Sequence, residues 1–162
     1  MGPDEWRLLR DVRLTALDRA GGYLDGERAA EATAPPAYWR DLLATSTVWQ
    51  AARGEETVGL VQYRSEDGIG FLSGLWVEPH DRSRGLARRL VATVIAHSRE
   101  QGDSELRAYV APANRPVVRV LRSVGARPTG RLRIRAGTPH GPRLEVHVEH
   151  ERNGAPRGGS RS

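Results

Sequence analysis

Residues 84–101 carry apolar side chains at Leu86, Leu90 and Val94 and again at Ala87, Val91 and Ile95. These are i, i+4 stripes, the pattern of an amphipathic helix that packs on something through one side. Gly102 supplies its stop. Apolar, β-like runs flank it at residues 69–77 and 105–111. Two strands joined through a helix pair in parallel by a crossover, so the chain needs a sheet with a helical layer on it.

The rest of the chain extends this sheet. Residues 47–52, 57–63 and 69–77 read as a three-strand antiparallel meander, with turns at residues 53–56 and 65–68. Residues 113–124 read as a helix with Pro116 in its first turn, ended by Gly125. Residues 127–135 and 144–149 read as closing strands. Upstream, residues 6–14 alternate loosely and read as a first strand. Residues 16–24, 27–34 and 38–44 read as helical pieces, the last two broken by Pro35 and Pro36. The expected architecture is α+β, a mixed sheet of about seven strands flanked by about four helices. One domain is expected over residues 1–150, with a frayed Gly, Arg and Ser-rich tail at residues 151–162.

Composition removes several chemistries. The chain has no Cys, which excludes a disulfide framework, a thiolate zinc site and a thiol nucleophile. All 25 basic residues are Arg, and the missing Lys excludes a Schiff base and a P-loop. No apolar run approaches a membrane span, and residues 1–10 lack a signal-peptide core, so a cytoplasmic protein is expected. The five His show no metal-ligand spacing, and no metal is expected.

Charge is distributed unevenly. Residues 1–81 carry 8 Arg and 14 acids, net −6; residues 82–162 carry 17 Arg and 6 acids, net +11. The balance fits nucleic acid or an anionic ligand held by the second half. Arg127, Arg131, Arg133 and Arg135 alternate on one expected strand. No recognition helix or stacking-aromatic motif accompanies them, so a nucleic-acid partner is not expected.

The sign changes at Arg82, where the chemistry concentrates. Here a strand ends at Pro79 and an Arg-rich loop opens the long helix: Arg82-Ser83-Arg84-Gly85-Leu86-Ala87-Arg88. A helix N-terminus leaves backbone N–H groups unpaired and carries partial positive charge, so it attracts anions. Gly85 admits close approach to the backbone, and the three Arg add charge.

This loop resembles the Gln/Arg-x-x-Gly-x-Gly/Ala signature of the GNAT superfamily of N-acetyltransferases. Leu75-Trp76-Val77 resembles that family's central strand, and Asn114 with Gly125 its following helix. The element order is also similar over about residues 5–150. The resemblance implies acetyl-CoA as acyl donor and a primary amine as acceptor, attacking directly in a ternary complex. It implies that the backbone of Leu75, Trp76 and Val77 holds pantetheine and that Arg82, Ser83, Arg84, Gly85, Leu86, Ala87 and Arg88 cradle the pyrophosphate. Asn114 would touch the pantetheine arm, and the Val77 N–H would stabilise the carbonyl oxygen.

The chain departs from the family at its chemistry. The Tyr that commonly protonates the thiolate is replaced by Leu121, and the aromatic after Gly125 by Ala126. Positions that carry a base in some members hold Phe71, Ser73 and Tyr109. Tyr109 and Ser73 are therefore the candidate catalytic groups, as members of a water-borne proton relay. Leu121 also motivates an alternative, a non-catalytic acyl-CoA-binding module. The acceptor walls are expected from residues 21–38, which include Tyr23, Asp25, Glu27 and Glu31, and from residues 136–143. That first wall is acidic, compatible with a cationic amine. A C-terminal strand in such folds often pairs across a dimer, so a homodimer belongs among the expectations.

Overall fold

The computed structural model describes residues 1–20, 25–82, 84–133 and 143–150. In chain order the elements are α1 (Trp6–Asp18), α2 (Asp25–Ala32), α3 (Pro36–Thr45), β1 (Thr47–Arg53), β2 (Glu56–Glu66) and β3 (Ile69–Val77). A short 3-10 turn, Pro79–Asp81, leads to α4 (Leu86–Glu100), β4 (Glu105–Val110), α5 (Arg115–Ser123), β5 (Arg127–Arg133) and β6 (Arg143–Glu149). The sheet has the order β1-β2-β3-β4-β6-β5 among the described residues. The meander and the closing pair are antiparallel, and β3 runs parallel to β4 through the α4 crossover.

One expectation fails at the start of the chain. Residues 6–14 are not a strand but most of α1. Leu9, Val12, Ala16 and Leu17 are the buried residues of that helix, and Leu8 is exposed. The i, i+3, i+7, i+8 spacing is helical, and it outweighs the short alternation around Leu8. The sheet therefore has six described strands, and five helices flank it. The closing strand β5 is also interrupted between Pro128 and Leu132, so Arg127 and Arg131 do not share one unbroken ladder. Arg135 lies outside the described residues, as do Ser83, Tyr23 and residues 151–162.

Two apolar layers enclose the sheet. On one face Leu9, Val12, Trp39 and Leu43 from α1 and α3 pack on Val48, Leu60 and Trp76. On the other, Leu90, Val91, Val94 and Ile95 from α4 and Leu121 from α5 pack on Val61, Leu72, Leu106 and Val146. The stripes read in residues 84–101 are thus the core face of α4. No helix among the described residues is long and apolar enough to cross a membrane.

A polar knot closes the end of the sheet beyond the C-terminus of α4. Asp103 accepts hydrogen bonds from Tyr63 (2.5 Å), Ser65 (2.6 Å) and Ser98 (2.7 Å). The Arg99 Nε donates to Nδ1 of His150 at 3.3 Å, so the imidazole proton sits on Nε2, 3.0 Å from the Ser98 hydroxyl. Burial alone would raise the Asp103 carboxyl, but the bonds from Ser65, Ser98 and Tyr63 outweigh it and hold it below the ordinary range. Burial and the Arg99 charge lower His150, and burial with Asp103 pushes Tyr63 up to about 12.

Both His150 and Asp103 bind protons less readily folded than unfolded, so each contributes stability that is lost on acidification. The expected melting curve falls first below about pH 6.5, as His150 in the unfolded chain takes up a proton, and again below about pH 4 through Asp103. Thermal melts from pH 8 to pH 3.5 check this, and His150→Gln should remove the first fall while keeping the second.

Candidate active site

Sheet pairing between β3 and β4 stops early. Gly70, Phe71 and Leu72 pair with Leu106, Arg107 and Ala108, and β3 then continues to Val77 without a β4 partner. The cause is a bulge: Leu60 pairs with Trp76 and Gln62 with Ser73, so Gly74 and Leu75 together oppose Val61. A bulge bends the strand and increases its local twist. Gly74 has φ +61°, a conformation other residues adopt only under strain.

The gap exposes backbone of β3 along one edge. The Glu78 N–H donates to the Val58 carbonyl at 2.9 Å. In an antiparallel ladder the adjacent pair, Val77 with Gly59, is then a position whose N–H and C=O point away from β2. Those of Val77 consequently face the open side. Trp76 itself buries its ring between α1 and α3, so only its backbone is near the gap.

The divergence opens a cleft of about 770 Å³. Asn114 and Val117 of α5 line one end. Arg13, Glu27, Glu31 and Tyr38 of the first three helices line the other, with Arg143 at the start of β6. Ser73 and Tyr109 both lie on its wall. Ser73 is exposed; Tyr109 is 39% exposed and stacks on Phe71, ring centroids 6.2 Å apart. Leu121 does not reach the cleft: it is 3% exposed and belongs to the core beneath α4.

Beyond the cleft, the loop before α4 is held by ion pairs. Arg53 Nη1 lies 2.9 Å from buried Asp81, Arg19 pairs with Glu78, and Arg82 Nε donates to the Val77 carbonyl at 3.1 Å. Glu78 is 6% exposed and buried against Arg19. The helix that follows has an open N-terminus. Gly85 stands at its cap with φ +73° and no side-chain cap, and a Cβ there would meet nothing within 4 Å. The first helical bond runs from Arg89 N–H to the Gly85 carbonyl, 3.0 Å, so the N–H groups of Leu86, Ala87 and Arg88 precede it without intrahelical acceptors. Arg84 is 72% exposed and only 3.9 Å from Asp81, and Arg88 is exposed. By contrast α5 is capped: Asn114 accepts from the Val117 N–H at 3.4 Å.

Residues 15–126 match the sequence profile of the acetyltransferase (GNAT) family. The chain belongs to the GNAT acetyltransferase family. Solved structures of that fold cover most of it at low identity. A PaiA N-acetyltransferase from Thermoplasma acidophilum in complex with coenzyme A superimposes with TM-score 0.72 at 10% identity, over 93% of this chain and 96% of that one. A ribosomal-protein-alanine N-acetyltransferase from Brucella melitensis gives 0.63 at 19%, over 93% and 97%. A GNAT family acetyltransferase from Elizabethkingia anophelis with acetyl-CoA bound gives 0.58 at 13%, over 70% and 82%. No curated protein matches the chain in sequence. Among the described residues of this GNAT protein no cluster of His, Asp and Glu is placed to hold a metal ion.

Three parts of the GNAT cleft were missed in the sequence. Gln62 is 5% exposed, lines the cleft and packs on Gly74, yet its buried Nε2 has no hydrogen-bond partner among the described residues. It was legible as the one polar residue in the run Val58 to Tyr63. The bulge was legible only as Gly74, one of two glycines in β3. The third part is the pairing of Glu31 with Arg13 and of Glu27 with Arg143: the two carboxylates were expected on the acceptor wall, but their partners stand 18 and 116 residues away. Tyr38 stands beside it, its hydroxyl pushed up by burial and by Glu31, so it stays protonated.

A buried amide nitrogen without a partner costs stability, whereas an apolar side chain of the same length does not. Gln62→Met is therefore expected to stabilise the fold by about 1 kcal/mol, read from urea unfolding, because the orphaned nitrogen is removed.

Proposed function

We propose that this chain transfers the acetyl group of acetyl-CoA to a primary amine by direct attack in a ternary complex. The observation that carries the reading is the cleft through the sheet, open from Asn114 on α5 to the face covered by the first three helices. A donor and an acceptor entering from opposite ends would meet at the bulge.

The chain's groups fit the donor. Uncapped N–H groups of residues 86–88, with Arg84 and Arg88, suit a pyrophosphate, and the sequence places the hydroxyl residue Ser83 beside Arg84. Arg82, already bonded to the Val77 carbonyl, braces that loop. The open edge of β3 at Leu75 and Val77 suits an extended amide chain added as a strand. Asn114 stands at the same end of the cleft.

When bound, the thioester supplies an activated acetyl carbon. The Val77 N–H faces the gap and is the proposed donor to the carbonyl oxygen as it gains charge. Ser73 and Tyr109 line the wall that the amine would reach and are proposed to pass its proton to solvent through water. Leu121 has no ionisable proton to give the leaving thiolate, and it lies in the core. A thiol with a pKa near ~8.5 leaves as thiolate without an acid near that pH. Catalysis then rests on positioning more than on proton transfer.

Two measurements test this reading. Gly85→Asp keeps a residue type tolerated at positive φ but places a carboxylate at the anion site. It should weaken CoA binding, measured by calorimetry, on the order of tenfold or more. Thiol release from acetyl-CoA with a panel of primary amines should rise with pH toward about 8, following the neutral fraction of the amine. Tight acetyl-CoA binding without thiol release for any amine would instead identify a non-catalytic acyl-CoA-binding module, the alternative that buried Leu121 favours.

A further inference from the structure

Glu27 and Glu31, the described carboxylates of the expected acidic wall, are not available to a cation. Glu31 accepts from Arg13 through both oxygens, Nε at 3.1 and 3.3 Å and Nη2 at 2.9 Å. Glu27 pairs with Arg143 and lies 3.6 Å from Arg13. All four side chains are between 12% and 21% exposed. These carboxylates tie α1, α2 and the start of β6 together. A substrate ammonium would have to break desolvated pairs to reach them, which is unfavourable.

The opposite sign is available. Arg64 lines the same cleft, and its side chain is 53% exposed. Its ion pair with Glu66 is 3.5 Å long, and Glu66 is 61% exposed, so the contact is too long for a charge-assisted hydrogen bond. Its guanidinium carbon lies 5.3 Å over the Phe71 ring, and Phe71 stacks on Tyr109. The aromatic floor thus steadies a guanidinium whose donors make no hydrogen bond among the described residues. Gln62 and Ser73 lie two residues along their strands from Arg64 and Phe71, about 7 Å toward the gap. Among the described residues the cleft walls carry Arg13, Arg64 and Arg143 against Glu27 and Glu31, an excess of one positive charge before any donor enters.

We propose that the acceptor is an amino-acid-like molecule, a primary amine that also carries a carboxylate, and that Arg64 takes the carboxylate while the amine lies at the Gln62 and Ser73 end. This rests on the acetyl-transfer reading and narrows it: diamines and lysine-rich peptides are disfavoured acceptors. A planar guanidinium matches a carboxylate through two parallel bonds, which gives both affinity and register.

The test compares free α-amino acids with their α-amides and with a diamine such as putrescine. The amide has the less basic amine and so the larger neutral fraction, which biases the chemistry against the proposal. The expected result is a kcat/KM at least tenfold higher for an acid than for its amide, with putrescine lower still. Arg64→Gln should collapse the acid-to-amide ratio toward one, chiefly through the KM of the acid, and Arg64→Lys should restore part of it. Arg122→Gln, on the exposed side of α5, controls for loss of a positive charge and should keep the ratio. A melting temperature close to wild type for Arg64→Gln excludes misfolding at this exposed position. Equal or better use of the amide or the diamine, or an unchanged ratio in Arg64→Gln, overturns the proposal. A binding arm separates it from the reading beneath it. If no amine releases thiol, acetyl transfer fails, and calorimetry of the CoA-loaded protein with acid against amide still decides the carboxylate: Arg64-dependent preference for the acid supports it, and equal or absent binding overturns it.

Discussion

Everything that makes this fold a site follows from the failure of two parallel strands to stay paired. β3 and β4 share three residue pairs and then part at the bulge of Gly74 and Leu75. Unpaired backbone polar groups are costly when buried, so an opening of this kind persists only when water or a ligand reaches it. The same divergence creates the cleft and turns the backbone of Val77 toward it. It also leaves α5 at one end and the first three helices at the other. The bulge is held from behind by Gln62, whose Cδ would lie 3.1 Å from any Cβ at Gly74. The glycine is thus required by its φ and by its neighbour.

The second organising feature is where charge is neutralised and where it is left open. The loop before α4 uses Arg19, Arg53 and Arg82 to hold Glu78, Asp81 and the end of β3, leaving Arg84 and Arg88 exposed beside uncapped N–H groups. In the cleft, Arg13 and Arg143 neutralise Glu31 and Glu27, while Arg64 keeps unused donors. The excess of Arg in the second half of the chain is therefore partly local, serving the start of α4.

The open start of α4 and the crossover were legible because their signals are short-range. The stripes of residues 84–101, the glycine at 85 and Asn114 before Pro116 each report on their own neighbourhood, and the structure has α4, its open start and the capped α5 there. Helix α1 was misread because Trp6 and Leu8 imitate alternation over a window shorter than one helical repeat, whereas the buried set continues to Leu17. The cleft walls were harder to see. Arg13 and Glu31 are 18 residues apart and Arg143 and Glu27 are 116 apart, so only the folded chain shows that the acids are already paired. The departure at Leu121 was visible as a residue, but only the fold shows that this leucine is spent on the core beneath α4 and does not line the cleft.

The central claim is that the gap in the sheet and the open start of α4 form one acetyl-donor site. A crystal structure with CoA bound tests it most directly. The account predicts pyrophosphate oxygens within hydrogen-bond distance of the N–H groups of residues 86–88 and pantetheine amides paired with β3 around Leu75 and Val77. A pyrophosphate bound elsewhere, or a pantetheine arm that bypasses the gap between β3 and β4, would contradict it.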